Sequence, residues 1–453
     1  MVIVFIIIII VIFFVAIYRF IFGDNRTIFN FKSDVEKATE SPRKQEKITG
    51  DKTLIGRNGH REIFINNNAR HVFVCGTTGS GKSVALSNFI FSGINYDYPM
   101  LIVDGKGDGG SGSIMDITRK LAISSGKKLY VINLNDPKNS DKYNPFCNSS
   151  PTVIKDMLVN LTVFSEEHYK LNTERYLQRL INLLFLAEKK TSFKNIIAHI
   201  PTDKFISLSA ELLKKNIITK EEHIENMEIA KASGEIAESA VARFSTLYES
   251  EVGCIFDDDG IDIFSALQEK AIILFIFNPL LLPETSPLFG NLIIIDAKKA
   301  VSHLYREHQK RVFFIFDEVA VYASPSLLDL VNKSRSARIT CILATQSLSD
   351  LDAKVGEYFK EEIIENCNSY LVLRQNSARN AEAWANIIGT RFNLDLTYQV
   401  KEGDNTGLGS MKRTREYLYH PDDIKSFGTG EAIFVSKDNK FHTKLIINYF
   451  KPF

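Results

Sequence analysis

Cysteine is scarce. There are five in 453 residues, at positions 75, 147, 254, 341 and 367, and none forms a C-x-x-C pair. That spacing excludes a zinc ribbon and a disulfide-stapled scaffold, so the five read as small buried residues in a reduced compartment. An excess of one charge sign is also missing: 55 Lys+Arg stand against 54 Asp+Glu, a net +1. No global basic field marks a nucleic-acid binder, and any contact with DNA must be local. Repeats, a low-complexity tail and a heptad run long enough for a coiled coil are all absent. Hydrophobic residues at 45% and charged residues at 24% exclude a largely disordered chain, a collagen-like chain and a multi-span membrane protein. The length fits two or three domains.

The even average hides one asymmetry. Residues 1–18 (MVIVFIIIIIVIFFVAIY) carry no charge. As a helix they rise about 27 Å, close to a bilayer core of roughly 30 Å. No basic n-region precedes them and no small-x-small site follows, which argues for an uncleaved anchor over 1–22 and against a signal peptide. Arg19, Arg26, Lys32 and Lys37 come next. The positive-inside rule then puts the rest of the chain in the cytoplasm. Residues 23–53 are polar and charge-mixed, and read as a linker.

Beyond the linker the pattern is α/β. Apolar runs of strand length fall at 71–75, 100–103, 129–133, 271–277, 312–316, 340–344 and 369–373. Continuous apolar runs suit a parallel sheet covered on both faces. Helical periods lie between several of them, as at Val84–Ser92 and Pro287–His303, so the expected fold is a mostly parallel, doubly wound sheet. Residues 151–254 show no strand. Ile154, Met157, Leu158 and Leu161 recur at helical spacing, as do Leu177, Leu180, Ile181 and Leu184. This segment reads as an all-α insertion that divides a nucleotide-binding domain into 54–150 and 255–453. Short strands return in 418–453.

The chemistry is written at the strand ends. Gly76-Thr77-Thr78-Gly79-Ser80-Gly81-Lys82-Ser83 matches G-x-x-x-x-G-K-[ST], after a strand and before an apolar helix pattern. Glycines let the backbone curl so that several N–H groups face one anion, and the helix N-terminus adds its positive end. Lys82 is expected at the β- and γ-phosphates and Ser83 on Mg2+. The run VFFIF delivers Asp317 and Glu318, one to hold the metal and the other to orient and deprotonate the attacking water. Asp104 also ends an apolar strand and competes for the metal role, but no Glu follows it. Gln346, at the end of 340–344, is placed to sense a γ-phosphate. Lys333, Arg335 and Arg338 precede that strand. An arginine there either faces solvent or reaches a neighbouring subunit's nucleotide in a ring.

Taken in order, GTTGSGKS, Asp104-Gly-Lys106-Gly107, Tyr143-Asn-Pro-Phe146, Asp317-Glu318 and KSRSARITCILATQS resemble the type IV secretion coupling proteins, the TraG/TraD-type conjugation ATPases. The resemblance covers roughly 70–450. It implies a RecA-like P-loop motor that binds ATP and Mg2+, with a smaller all-α domain, a homo-hexameric ring and a place at the bacterial inner membrane. It implies that a relaxase-bound DNA strand or an effector protein is fed to secretion-channel components. It also implies that Arg335 acts in trans and that Lys106 lies near the phosphates. Two departures stand out: many relatives have two membrane helices where one is read here, and the C-terminal tail that some use for docking is not seen. Two other readings share the motor residues: a HerA/FtsK-like DNA pump, and an ATP-binding cargo receptor with little turnover. Intact Lys82, Asp317 and Glu318 argue against the receptor.

Overall fold

The computed structural model describes residues 50–68, 71–161, 164–305, 311–401 and 404–449. The expected anchor over 1–22 lies outside them. Among the described residues no helix is long and apolar enough to cross a membrane.

Thirteen strands are described: β1 (Lys52–Asn58), β2 (Arg61–Asn66), β3 (His71–Cys75), β4 (Met100–Asp104), β5 (Leu129–Asn133), β6 (Ile272–Ile276), β7 (Val312–Asp317), β8 (Ile339–Thr345), β9 (Cys367–Val372), β10 (Thr390–Lys401), β11 (Asp404–Tyr417), β12 (Glu431–Ser436) and β13 (Phe441–Ile447). Eleven form one sheet in the order β2-β1-β13-β12-β9-β3-β8-β7-β4-β6-β5. The seven strands from β9 to β5 run parallel, and the four at the other edge pair antiparallel.

The parallel strands are apolar on both sides because both faces are covered. Period-two alternation sends Val72, Val74, Met100, Ile102 and Leu274 to one face. There they pack with helices α1 (Lys82–Asn95) and α2 (Ile114–Ser125). Phe73, Leu101, Val103, Phe275 and Phe316 go to the other face, against α9 (Thr285–Leu304) and α10 (Pro325–Ser334).

Between β5 and β6 the chain leaves the sheet for five helices: α3 (Pro151–Asn160), α4 (Glu167–Leu186), α5 (Phe193–His199), α6 (Thr202–Lys214) and α7 (Lys220–Glu249). Tyr176 and Phe205 stack at their centre, 4.8 Å apart. Thr219 and Glu222 form a capping box that starts α7. The root of these helices is polar and buried. Lys299 Nζ donates to the carbonyls of Pro145 and Cys147, both at 2.7 Å, and to Asp262 at 2.8 Å. It also lies 2.9 Å from Asp296. Tyr143 Oη donates to Asp296 at 2.8 Å. Burial pushes the Asp296 carboxyl up to about 6, with the Lys299 charge opposing. The Tyr143–Phe146 turn is thus clamped to α9 by one cation and two carboxylates.

Three expectations need correction. The linker expected over 23–53 overlaps β1, which begins at Lys52. The hairpins β1–β2 and β10–β11 have no counterpart among the expected strands. Of the five cysteines, Cys75, Cys341 and Cys367 are buried, but Cys147 is half-buried and Cys254 exposed.

Candidate nucleotide site

Parallel register decides what meets at the sheet's carboxyl edge. Cys75 pairs with Thr345 across β3–β8, and Asp104 pairs with Asp317 across β4–β7. The residues that follow these strands therefore face one cleft: Gly76–Ser83, the 104–113 loop, Glu318 and Gln346. A cavity of about 270 Å³ lies there, lined by Thr77–Gly79, Gly81–Ser83, Lys106, Asp108, Asp317, Glu318, Gln346 and Thr429.

The P-loop wall is held from several sides. Gly81 takes φ +110 as the N-cap of α1, a left-handed conformation that glycine adopts without a Cβ penalty. The amides of Gly76 and Thr77 donate to the carbonyls of Thr345 and Arg374 at 3.2 and 3.0 Å. Lys82 Nζ donates to the Gly76 carbonyl at 2.6 Å. From the turn before β12, Thr429 Oγ1 donates to the Gly79 carbonyl at 3.1 Å, and the Gly430 amide donates to Ser80 O at 2.9 Å.

The acidic wall has two carboxylates on adjacent strands. Burial, then the charges of Asp104 and Glu318, push Asp317 up to about 7, with Lys82 opposing. Burial also raises Asp104, but its Oδ1 accepts the amides of Lys106 and Gly107 at 3.0 and 3.1 Å. One oxygen of Asp104 is therefore tied to the turn that follows it, and the residue also lines the cavity. Gly107 has φ +68, and a Cβ there would collide with the Phe277 carbonyl, so only glycine fits that turn. Lys106 Nζ points into the cleft and meets Asp108 at 3.0 Å.

Glu318 is held in the left-handed region, φ 51 and ψ 53, which an ordinary side chain occupies only at a cost. Its Oε2 accepts from Gln346 Nε2 at 3.1 Å, and Gln346 Oε1 accepts from Thr78 Oγ1 at 3.1 Å. A side-chain bridge therefore runs from the P-loop to Glu318 through Gln346. Burial raises the Glu318 carboxyl, with Lys82 and the Gln346 hydrogen bond opposing.

Arg335 is not brought to this cavity. It opens a short 3-10 turn, Arg335–Ala337, just before β8. Its charge acts on His71, the first residue of β3, whose Nδ1 accepts the Cys341 amide at 3.0 Å. Arg335 thus sits at the amino edge of the sheet. The seven residues of β8 put it about 23 Å from the P-loop edge.

The donor set suits a magnesium nucleotide. Ser83 and Asp317 offer hard oxygen ligands, and Thr77 Oγ1 and Thr345 Oγ1 are buried hydroxyls without a hydrogen-bond partner. Among the described residues no three His, Cys, Asp or Glu side chains stand close enough to hold a metal alone. A bound Mg2+ therefore needs phosphate oxygens as well, which is how Mg2+ is held in phosphoryl-transfer sites. Sequence reasoning missed Asp108, Arg374, Thr429 and Gly430. Gly428-Thr429-Gly430 looks in the sequence like any turn, and only the antiparallel edge strands carry it back to Gly79.

Residues 311–428 match the family model described as the TraM recognition site of TraD and TraG, and residues 36–107 match the FtsK/SpoIIIE family. An uncharacterized protein of Mycoplasma pneumoniae is 30% identical over 108 residues, 24% of this chain and 69% of that protein. Among solved structures, the bacterial conjugative coupling protein TrwBdeltaN70 superposes with a TM-score of 0.64 at 16% identity, over 92% of each chain. TrwB in complex with ADP and Mg2+ gives 0.60 at 17% identity, again over 92% of each. VirB4 of Thermoanaerobacter pseudethanolicus gives 0.54 at 12% identity, over 90% of this chain and 98% of that one. At such identities the structures establish a shared mixed α/β fold.

Proposed function

We propose, for a chain that belongs to the TraG/TraD-type coupling proteins, an ATP-hydrolysing motor that recruits DNA, as a relaxase-bound strand, and drives it toward a secretion channel. The observation that carries this reading is the bridge Thr78–Gln346–Glu318, set beside Lys82 in one cavity. A binding-only receptor has no use for a half-buried, strained carboxylate tied to its phosphate loop. A protein that turns ATP over does.

Each residue has a task that follows from its place. The amides of Gly79–Ser83 and the N-terminus of α1 receive the phosphates. Lys82 exchanges the Gly76 carbonyl for a phosphate oxygen. Ser83 and Asp317 would hold Mg2+, which when bound would supply positive charge against the phosphates. Glu318 orients water and accepts its proton. Burial raises its carboxyl, which makes it a better base, and the Lys82 charge opposes that rise. Gln346 links that base to Thr78, so a change at the γ-phosphate position is felt at both ends of the bridge. Lys106 offers a second cation once it leaves Asp108.

The wider layout belongs to the same proposal. Residues 1–22 anchor the chain in a bacterial inner membrane and 23–53 tether it. The parts 54–150 and 255–453 form the motor, and 151–254 form an all-α domain that meets relaxase or effector cargo. Six copies form a ring in which Arg335 reaches a neighbour's nucleotide. The HerA/FtsK-like pump shares the motor, but it leaves the five helices between β5 and β6 without a role.

Lys82→Ala tests the site. ATP turnover is expected to fall at least 100-fold with thermal stability retained, since Lys82 is half-buried and its one hydrogen bond is to a carbonyl. Turnover at the wild-type rate would remove the P-loop from the mechanism.

A further inference from the structure

The ribbon β10–β11 is the one pair of described strands that stands outside the eleven-stranded sheet. At its root Arg391 faces Glu416, Phe392 faces Arg415 and Leu394 faces Arg413. Alternation then puts Phe392, Leu394, Arg413 and Arg415 on one face. Phe392 is 39% exposed, and Arg413 and Arg415 are exposed beside it. The Arg413 guanidinium lies 3.9 Å from the Phe392 ring centroid and that of Arg415 lies 5.0 Å from it. Lys412 is exposed next to them, on the opposite face. Across the ribbon Lys412 stands opposite Asp395.

This arrangement has a chemical bias. Two guanidinium groups on one face form a local positive field in a chain whose net charge is +1. An aromatic ring flanked by two guanidinium groups gives a flat, partly wet surface on which a nucleobase can stack while phosphates meet the cations. An acidic peptide would satisfy the cations but leave the ring unused. A DNA duplex would do the same, because its bases are already stacked on each other.

We propose that the root of this ribbon is a contact surface for single-stranded DNA, with Lys412, Arg413 and Arg415 on phosphates and Phe392 against a base. The assignment rests on the DNA-motor reading above and gives it a location. The chain also runs from the ribbon through α14 (Pro421–Ser426) to the Gly428–Gly430 turn that seats on Gly79 and Ser80. The strand contact and the P-loop are thus joined by covalent chain as well as by the sheet.

The test uses the full chain, a fluorescein-labelled oligo-dT of 30 nucleotides, and anisotropy titrations over a range of salt. Lys412→Ala/Arg413→Ala/Arg415→Ala is expected to flatten the slope of log affinity against log salt by about 2, since each phosphate contact on a single strand contributes roughly 0.7. Phe392→Leu is expected to weaken binding by roughly 5- to 100-fold with the slope unchanged, the signature of a lost stack. Both variants should keep the wild-type melting temperature and the wild-type ATP turnover without DNA. Wild-type affinity and slope in the triple variant would overturn the assignment and leave the motor reading standing. A wild-type chain that hydrolyses ATP but binds no oligo-dT at low salt would overturn the assignment and the DNA cargo together. Loss of ATP turnover in the wild-type chain would instead strike the motor reading.

Discussion

Asp317 is a carboxylate whose burial and acidic neighbours resist its ionisation, against the Lys82 charge and the Glu318 amide. It is buried, it lies one strand from Asp104, and it precedes Glu318. Its carboxyl in the folded protein titrates near 7 against an ordinary 3.8. The folded state therefore holds the proton more tightly than the unfolded chain. The stabilising contribution is complete below about pH 4 and is lost as pH rises through about 7. Without nucleotide, the wild-type protein is expected to lose stability between pH 5 and 8.5. Asp317→Asn, which has no proton to release, should flatten that trend and stand roughly 1–3 kcal/mol above wild type at pH 8.5. Melting curves at three pH values measure this, and parallel wild-type and variant trends would contradict it. The same variant should bind magnesium nucleotide less well, because it gives up the metal's carboxylate.

At the scale of elements, the Gly428–Gly430 turn acts as a brace. It joins the antiparallel edge of the sheet to the back of the P-loop through Thr429 Oγ1 and the Gly430 amide. Thr429→Val keeps the shape and removes one neutral hydrogen bond, an effect of about 0.5–1.5 kcal/mol. Nucleotide affinity is expected to weaken about 3- to 10-fold by equilibrium titration, with the rate at saturating ATP nearly unchanged. An equal fall in rate would mean that the turn acts on the chemical step instead. This brace also marks the limit of what the sequence disclosed. The runs HVFVC, MLIVD and VFFIFD were readable because a strand covered on both faces must be apolar throughout. The residues at their ends were readable because phosphate chemistry uses few residue types. Pairing was not readable: nothing in Gly428-Thr429-Gly430 says that β12 will lie beside β9, two strands from the P-loop. The hairpin β10–β11 escaped for a related reason. Its strands pair only with each other, so no continuous apolar run was needed to write them.

At the scale of the whole molecule, Arg335 constrains the assembly. It lies about 23 Å from the P-loop of its own chain, at the opposite edge of the sheet. If it contacts a nucleotide, that nucleotide belongs to another subunit. Arg335→Ala is expected to preserve ATP affinity and to reduce turnover by 10-fold or more. Glu318→Gln, which keeps a partner for Gln346 but removes the base, is expected to reduce turnover 100-fold or more. Mixed in one assembly, the two variants should recover part of the activity. Interfaces would then arise that pair an intact Arg335 with an intact Glu318. No recovery under proven co-assembly would argue against action in trans.

The strand order carries a consequence for how the protein is made. Of the parallel strands, β3, β4 and β5 leave the ribosome first, yet none of them pairs with another. β3 lies between β8 and β9, β4 between β6 and β7, and β5 beside β6. Every partner is encoded at or after Ile272, beyond the five helices that follow β5. During synthesis the three early strands are therefore apolar ribbons without neighbours, while α3–α7 emerge and can pack on one another. A nascent chain of this protein holds a growing aggregation hazard until its second half arrives, and the helices between are the part able to fold while it waits.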